Sequence, residues 1–221
     1  MTGMVLEASG LRRNIAGRDV VAGASLTLAA GEWVSLLGPS GSGKTTLLQL
    51  LGLLDRPTAG QVRIAGHDAW AWDARRRARA RLAEIGFVFQ IHNLFDHLTV
   101  RENIALPSWK LGGSRTQALH RADRWIERFG LSAQAATPAG RLSLGEAQRA
   151  AIARSLINEP SLVLADEPTG SLDAANGARV LDALHQVCAA GAALLVVTHD
   201  QSIAARGRVI QMREGRIDGP G

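Results

Sequence analysis

The stretch LAAGEWVSLLGPSGSGKTTLLQLLGLLDRPTAG, residues 28–60, decides the fold class of this chain. At its centre, residues 38–45 read GPSGSGKT and fit the phosphate-binding pattern G-x-x-x-x-G-K-[ST]. The short apolar run before it, residues 33–37, is typical of a buried parallel strand. The run after it, residues 45–54, is long enough for a helix with a broad apolar face. Strand, glycine loop and helix in this order are the context that the pattern requires, so we expect a nucleotide-phosphate site here.

The residue types in this loop suit a phosphate ligand. Glycines let the backbone wrap closely around phosphate with its N–H groups pointing inward, and the helix N-terminus adds positive potential. Lys44 supplies a point charge for the outer phosphates, and Thr45 supplies an oxygen for Mg²⁺. The alternative is a glycine-rich turn before an ordinary core helix. The predicted phosphate-binding residues are Gly38, Pro39, Ser40, Gly41, Ser42, Gly43, Lys44, Thr45 and Thr46.

Length and composition indicate one domain that could carry an inserted subdomain. The chain has 221 residues, of which 46% are apolar, enough for a substantial core. The single cysteine, Cys188, excludes an internal disulfide and is expected to be a small buried hydrophobe. The N-terminus lacks the apolar region of a secretory signal, and the longest nearly apolar run, residues 187–197, is too short to span a bilayer. We therefore expect a soluble, cytoplasmic protein.

The charge balance is basic, with a formal net charge of +5 carried almost entirely by arginine. Lys44 and Lys110 are the only lysines, so the phosphate loop keeps lysine where the chain otherwise uses arginine. The densest basic run, residues 75–81, is predicted to be a solvated helix face, with an anionic membrane surface or an acidic partner as alternatives. No aromatic residue interleaves with this run and tyrosine is absent, so we expect no nucleic-acid partner.

Periodicity predicts an α/β core interrupted by helices. Strands are predicted at residues 5–8, 20–21, 26–28, 33–37, 61–64, 85–89, 162–165, 193–198, 208–212 and 216–217. Helices are predicted from Thr99 to a stop at Pro107, over 119–129 before Gly130, over 145–157 and over 176–187. The insertion spans about residues 91–155, between two stretches that alternate strand and helix.

Polar side chains follow several predicted strands. Asp166 ends the apolar strand 162–165, where open α/β sheets bind ligands, and could hold Mg²⁺. Glu167 beside it could orient or deprotonate a water aimed at a terminal phosphate. His199 follows another buried strand and is aimed at the same sheet edge. A lone glutamine such as Gln90, at the end of strand 85–89, is by itself more typical of a surface residue.

A second possible anion site precedes the helix over 145–157. Ser143 and Glu146 have capping-box spacing, so Ser143 is the expected N-cap. A helix N-terminus with a serine hydroxyl and a nearby glycine, Gly145, can bind an anion, although spacing alone is equally consistent with an ordinary cap.

Together these motifs resemble those of the ATP-binding-cassette (ABC) ATPases, and the resemblance covers nearly the whole chain. Residues 38–45 are similar to the Walker A motif, 162–167 to Walker B and 142–146 to the family signature. Gln90 is similar to the Q-loop glutamine, and His199 to the switch histidine. Residues 171–173, which include Asp173, match the D-loop. Three longer stretches resemble the lipoprotein-releasing and macrolide-exporting subgroup: LLGLLDRPTAGQV, GFVFQIHNLFDHLTVRENIALP and LVLADEPTGSLD.

The resemblance implies a fold and a set of functional residues. The fold would be α/β, a RecA-like P-loop core with an antiparallel β subdomain at residues 1–90 and 156–221, and an inserted α-helical subdomain with the signature at residues 91–155. The cofactors would be ATP and Mg²⁺. Catalysis would use Glu167, His199 and Gln90; the metal would be held by Thr45, Gln90 and Asp166; and Ile15, Ser143, Gly145, Glu146 and Asp173 would join the phosphate loop in binding nucleotide.

The resemblance also implies partners. Cassettes of this family form a head-to-tail dimer with two ATP at the interface, here either a homodimer or a heterodimer with a related cassette. They serve integral membrane permease subunits from the cytoplasmic face of the inner or cell membrane, as peripheral subunits. The permease would dock beside Gln90, against residues 91–96.

Two positions depart from the family pattern. The signature usually has two glycines after its serine, whereas the first of these is Leu144 here. The aromatic residue that usually stacks on adenine aligns with Ile15, and its loss would weaken nucleotide binding by about 1 kcal/mol or more. Two alternatives remain open at this point: a cassette protein that acts on ribosomes or DNA, and a cassette that binds ATP without hydrolysing it.

Overall fold

The computed structural model describes residues 3–89 and 92–218. The strands are β1 (Met4–Ile15), β2 (Arg18–Ala29), β3 (Trp33–Leu37), β4 (Ala59–Ile64), β5 (His67–Asp68), β6 (Ile85–Val88), β7 (Leu162–Asp166), β8 (Ala193–Val197), β9 (Arg208–Arg213) and β10 (Arg216–Asp218). The helices are α1 (Lys44–Leu51), α2 (Ala74–Ala83), α3 (Val100–Lys110), α4 (Arg115–Arg128), α5 (Leu144–Leu156), α6 (Ala174–Ala189) and α7 (Gln201–Ala204). Short 3-10 turns occupy Ser132–Gln134 and Ala139–Arg141.

Within the described residues the strands form two sheets. The larger has the order β10-β9-β3-β8-β7-β6, and its strands are parallel except for the antiparallel pair of β9 and β10. The smaller has the order β2-β1-β4-β5 and is antiparallel throughout. Helices α3, α4 and α5 all lie between β6 and β7 in the chain. Because parallel strands present their carboxyl ends at one edge, the loops after β3, β7 and β8 meet there.

The parallel sheet separates two hydrophobic cores. The central strands β7 and β8 are buried on both sides, as parallel strands covered by other layers usually are. Successive side chains alternate between the cores: Leu195 and Val197 of β8 pack with α1 and the antiparallel sheet, whereas Leu194 and Val196 pack with α3, α4, α5 and α6. Cys188 is buried, as predicted, and its thiol donates to the carbonyl oxygen of Gly31.

Most predicted elements are present, but two helices end differently from the prediction. The helix after the phosphate loop was expected to continue towards residue 54; it ends at Leu51 because Gly52 packs against the ring of Phe87 and Leu53 turns to a left-handed conformation, φ 59°. The prediction that Pro107 ends α3 is wrong. The helix continues to Lys110, since packing of the whole helix against its neighbours, with Ile104, Ala105 and Ser108 buried, outweighs the missing N–H of proline.

The arginine run forms α2, with Arg75, Arg76 and Arg79 exposed. Tryptophans just before the run, and not within it, supply aromatic contacts. The guanidinium of Arg76 lies 4.7 Å from the ring centroid of Trp72. The predicted solvated helix face is therefore confirmed, with cation–π stacking that the spacing of the run did not indicate.

Candidate nucleotide site

A pocket of about 440 Å³ lies where the loops after β3, β7 and β8 meet. It is lined by Val20, Ser40, Gly41, Gly43, Lys44, Thr45, Thr46, Asp166, Glu167, Val197 and His199. The structure thus brings together the predicted phosphate loop, both predicted carboxylates and the predicted histidine, which come from three separate stretches of the chain. The position agrees with the rule that α/β sheets bind ligands at the carboxyl ends of their strands.

The phosphate loop requires glycine where it enters α1. Gly43 caps the helix in the left-handed region, φ 101°, and a Cβ there would collide with the carbonyl oxygen of Val20. The Lys44 ammonium donates to the carbonyl oxygens of Gly38 at 2.7 Å and Pro39 at 2.8 Å, which holds it over the loop. In the described part of the chain the buried hydroxyl of Ser42 has no hydrogen-bond partner. Lys44 and the exposed Ser40 line the pocket, so the loop offers side-chain donors to an anion there.

Thr45 and Asp166 form a pair of oxygen ligands on the floor of the pocket. The Thr45 hydroxyl donates to Asp166 Oδ2 at 2.7 Å, although the residues are 121 positions apart. Asp166 is only 7% exposed, and this burial raises the pKa of its carboxyl, while the bond from Thr45 opposes the rise. An adjacent hydroxyl and carboxylate at a phosphate loop suit Mg²⁺, which prefers oxygen ligands and substrate phosphates.

Glu167 is fixed by both its backbone and its side chain. Its φ of 48° lies in the left-handed region, which is uncommon for a residue with a side chain and often marks a functional position. Its N–H donates to the carbonyl oxygen of Val197 at 2.9 Å. One carboxylate oxygen lies 2.8 Å from His199 Nδ1, and the other accepts a long bond from the Thr198 hydroxyl at 3.5 Å.

His199 is paired with that carboxylate while its ring stays exposed. The hydrogen bond with Glu167 and the negative charge of Glu167 raise the pKa of His199 above its ordinary value of 6.5. The carboxylate therefore favours the protonated histidine, and the histidine in turn orients the carboxylate towards the pocket.

The predicted signature residues form a second cluster outside this pocket. Ser143 caps α5 in a capping box, with its hydroxyl 2.7 Å from Glu146 Oε2, and the bonds from Ser143 lower the pKa of Glu146. Leu144 is 68% exposed, so its side chain does not fill the core. A Cβ on Gly145 would approach Leu172 at 3.5 Å, which places the D-loop beside the signature. Asp173 caps α6 by accepting from Asn176.

Of the other predicted residues, Ile15 joins neither cluster. Ile15 ends β1 and is 48% exposed, and Val20 rather than Ile15 lines the pocket. Gln90, predicted for catalysis and for the metal, lies outside the described residues.

Comparison with known proteins shows the family. The family model described as ABC transporter matches residues 21–170. The chain is 41% identical to a lipoprotein-releasing system ATP-binding protein of Porphyromonas gingivalis, over 97% of this chain and 99% of that protein. It is 42% identical to a macrolide export ATP-binding/permease protein of Shigella flexneri, over 96% of this chain but only 34% of that protein.

The chain belongs to the ABC transporter family. A solved dimer of the ATP-binding cassette MJ0796, in a post-hydrolysis state with ADP and Pi, superposes with a TM-score of 0.91 at 33% identity, covering 97% of both chains. The predicted fold class, a RecA-like core with an antiparallel sheet and inserted helices, is thereby confirmed. As a cassette of this family the chain is an ATP-binding subunit with ATPase activity.

Sequence reasoning missed two buried polar residues, one that bonds to the Glu167 carboxylate and one that bonds to the loop after it. Thr198 is buried, and its hydroxyl accepts from Asp200 N–H and donates to Glu167. Gln148 is buried in α5 and donates to the carbonyl oxygen of Pro168 at 3.1 Å, which ties the signature helix to the loop after Glu167. The sequence offers one signal for each: Thr198 directly precedes His199, and Gln148 follows the signature by two positions. Within residues 3–89 and 92–218, no helix is both long and apolar enough to cross a bilayer.

Proposed function

We propose that this chain binds ATP with Mg²⁺ and hydrolyses it as half of a head-to-tail dimer, which drives a separate membrane subunit. The observation that carries the proposal is the separation of two half-sites on one chain. The phosphate loop, carboxylates and histidine line one pocket, whereas the Ser143 cluster lies apart from them. A second cassette, placed head to tail, would complete each pocket with the other chain's signature.

Each residue has a proposed role that follows from its chemistry. Lys44 and the loop amides bind phosphate oxygens, and Thr45 and Asp166 hold Mg²⁺, which neutralises phosphate charge when bound. Glu167 orients or deprotonates the attacking water, and His199 positions Glu167. We assign Gln90 to the water and the metal on resemblance alone.

The signature roles are proposed for the partner's nucleotide. The free amides at the start of α5, including that of Gly145, and the Ser143 hydroxyl would donate to the partner's γ-phosphate. The hydroxyl would then exchange its bond to Glu146 for one to phosphate. Glu146 holds the cap, and Asp173 lies beside the same interface. Ile15 would cover adenine without stacking on it.

The membrane partner is inferred from the relatives. Their names describe a lipoprotein-releasing system and a macrolide exporter with its own permease part. We therefore assign this chain to the cytoplasmic face of the inner or cell membrane, as a peripheral subunit and as a homodimer or a heterodimer with a related cassette. The core would comprise residues 1–90 and 156–221, and the helical subdomain residues 91–155.

The permease is expected to dock beside Gln90, against residues 91–96, a stretch in which Phe95 is 47% exposed and which precedes α3. Crosslinking tests this. With a photoreactive amino acid at Phe95, we expect adducts with a copurifying membrane subunit; the same probe at the exposed Val209 is the matched control. Adducts from Val209 but none from Phe95 would count against this docking face.

The chemical step is tested by Glu167→Gln. Because the amide cannot accept a proton from water, we expect ATP hydrolysis to fall by roughly 10²–10⁴-fold while ATP binding is kept. Glu127→Gln, the same change at an exposed position on α4, should leave turnover unchanged. If Glu167→Gln releases phosphate at a rate within threefold of the unmodified chain, the proposed role of Glu167 is wrong. If the unmodified chain binds ATP without turnover, it is a non-hydrolysing cassette.

A further inference from the structure

Arg154 links the end of α5 to a distant segment of the chain. Its guanidinium donates to the carbonyl oxygen of Asn93 at 2.7 Å and to that of His92 at 2.9 Å, 61 and 62 positions away in sequence. Its side chain is half-buried, and this burial lowers the pKa of Arg154. Within the described ranges its hydrogen bonds go to these two carbonyls and to no carboxylate. A partly buried cation bonded only to main-chain carbonyls fixes their position rather than neutralising a charge.

The segment that Arg154 contacts is fixed at a second point. Asn103 of α3 is fully buried; its side chain accepts from the N–H of Phe95 and donates to the carbonyl oxygen of Phe95. Asn93, whose carbonyl oxygen accepts from Arg154, adopts a left-handed conformation, φ 50°. Residues 92–95, the anchored segment, are thus held by the main chain while Asn93 and Phe95 remain exposed.

Helix α5 connects this segment to the signature. Ser143 caps one end of the helix and Arg154 lies in its last turn, roughly 16 Å away at the rise of an α-helix. Ile152 and Leu156 of α5 share a core with Ile104 of α3. Because both anchors belong to helices packed together, the anchored segment should move with α5 as one body.

We infer that Arg154 is a positioning residue that transmits contact between α5 and the partner's nucleotide to residues 92–95. When ATP fixes the Ser143 end of α5, the Arg154 end carries the two carbonyls with it. The position of the exposed Phe95 then depends on the nucleotide state of the dimer, and the membrane subunit proposed to dock on this face would contact it. The inference rests on the proposed ATP-dependent dimer, and it goes beyond it by assigning the link to one side chain.

Hydrogen exchange tests the link without the membrane partner. In a Glu167→Gln chain, ATP with Mg²⁺ should slow amide exchange in peptides covering residues 92–99 by at least about threefold. Arg154→Met keeps an unbranched apolar stem and removes the guanidinium donors, so the ATP effect should fall below about 1.5-fold with the dimer still formed. Arg121→Met removes the same charge from an exposed position on α4 and should retain the full effect.

Size-exclusion chromatography with light scattering, run on the same samples, separates the possible failures. A full ATP effect in Arg154→Met dimers overturns the inference, as does a Glu167→Gln dimer without any ATP effect. Failure of Glu167→Gln itself to dimerise overturns the proposed function, and the inference with it. If Arg154→Met does not fold or dimerise, Arg154→Lys is the deciding variant, because lysine keeps the charge but cannot bond to both carbonyls. Loss of at least about half of the ATP effect in this variant supports the link, and a full ATP effect refutes it.

Discussion

At the scale of single residues, the site is organised by side chains that hold one another. Glu167 lies between the backbone of Val197, the hydroxyl of Thr198 and the ring of His199, so a strained backbone at Glu167 is offset by three contacts. Thr45 and Asp166 also hold each other, since the hydroxyl that follows the phosphate loop donates to the carboxylate at the end of β7.

The His199–Glu167 pair predicts a pH dependence of stability. The pKa of His199 is raised above 6.5 by Glu167, so protonated His199 stabilises the fold below about pH 6.5, and this contribution is lost as pH rises through the raised pKa. Melting curves should therefore show His199→Gln less stable than the unmodified chain at pH 5.5, with the difference vanishing towards pH 9. His120→Gln, at an exposed position on α4, should show no such trend. A deficit that grows with pH would contradict the assignment.

At the scale of elements, caps and buried polar side chains decide where helices begin and what precedes them. Capping boxes start α3 at Thr99 and α5 at Ser143. Asn103 then ties α3 to the segment before it: its amide donates to the carbonyl oxygens of Phe95, Leu98 and Thr99. A helix and the irregular chain leading into it are thereby made one unit.

Removal of this buried amide should be costly. Asn103→Ala leaves the part-buried main-chain N–H of Phe95 without a partner and removes the bonds of the side-chain amide, although the carbonyls it contacts keep their main-chain bonds. We therefore expect a loss of about 3 kcal/mol in the free energy of unfolding, measured by urea denaturation. Lys110→Ala, at an exposed position near the end of the same helix, should change it by less than about 0.5 kcal/mol. A loss below that level for Asn103→Ala would show that water replaces the side chain.

At the scale of the whole molecule, the parallel sheet places the carboxylates and the phosphate loop at one edge, while the signature opens elsewhere. Among residues 3–89 and 92–218, the Ser143 cluster does not line the nucleotide pocket of its own chain. The proposed dimer explains this arrangement, because ATP would stabilise the closed form through contacts that hydrolysis removes.

Dimerisation is the prediction at this scale. In the Glu167→Gln chain, ATP with Mg²⁺ should produce a dimer by light scattering. Ser143→Arg should prevent it while monomers still bind ATP, because a long side chain would occupy the place of the partner's phosphate. Ser132→Arg, at an exposed 3-10 turn, is the matched control. Leu144→Gly should leave turnover similar or raise it, since an exposed leucine supplies no amide that glycine lacks. A Ser143→Arg chain that still dimerises with ATP would exclude the signature from the interface.

The sequence by itself determined the features that local chemistry dictates. Residue type and spacing predict, to within a few positions, the phosphate loop, its flanking strand Trp33–Leu37, the two capping boxes and the carboxylates at the end of the strand Leu162–Asp166. Such patterns can be interpreted without the fold because glycine conformations, caps and strand burial depend on immediate neighbours. For His199 and Glu167 the sequence predicts a shared sheet edge, but not the hydrogen bond between them.

The tertiary structure alone decided features that depend on distant partners. The extension of α3 past Pro107 reflects packing against other helices, and the end of α1 at Leu51 reflects the ring of Phe87 against Gly52. The bonds of Arg154 to carbonyls 61 and 62 positions away carry no local signal. At the two helix ends a non-local contact outweighs the local preference, because burial and buried hydrogen bonds contribute more free energy than intrinsic propensity does.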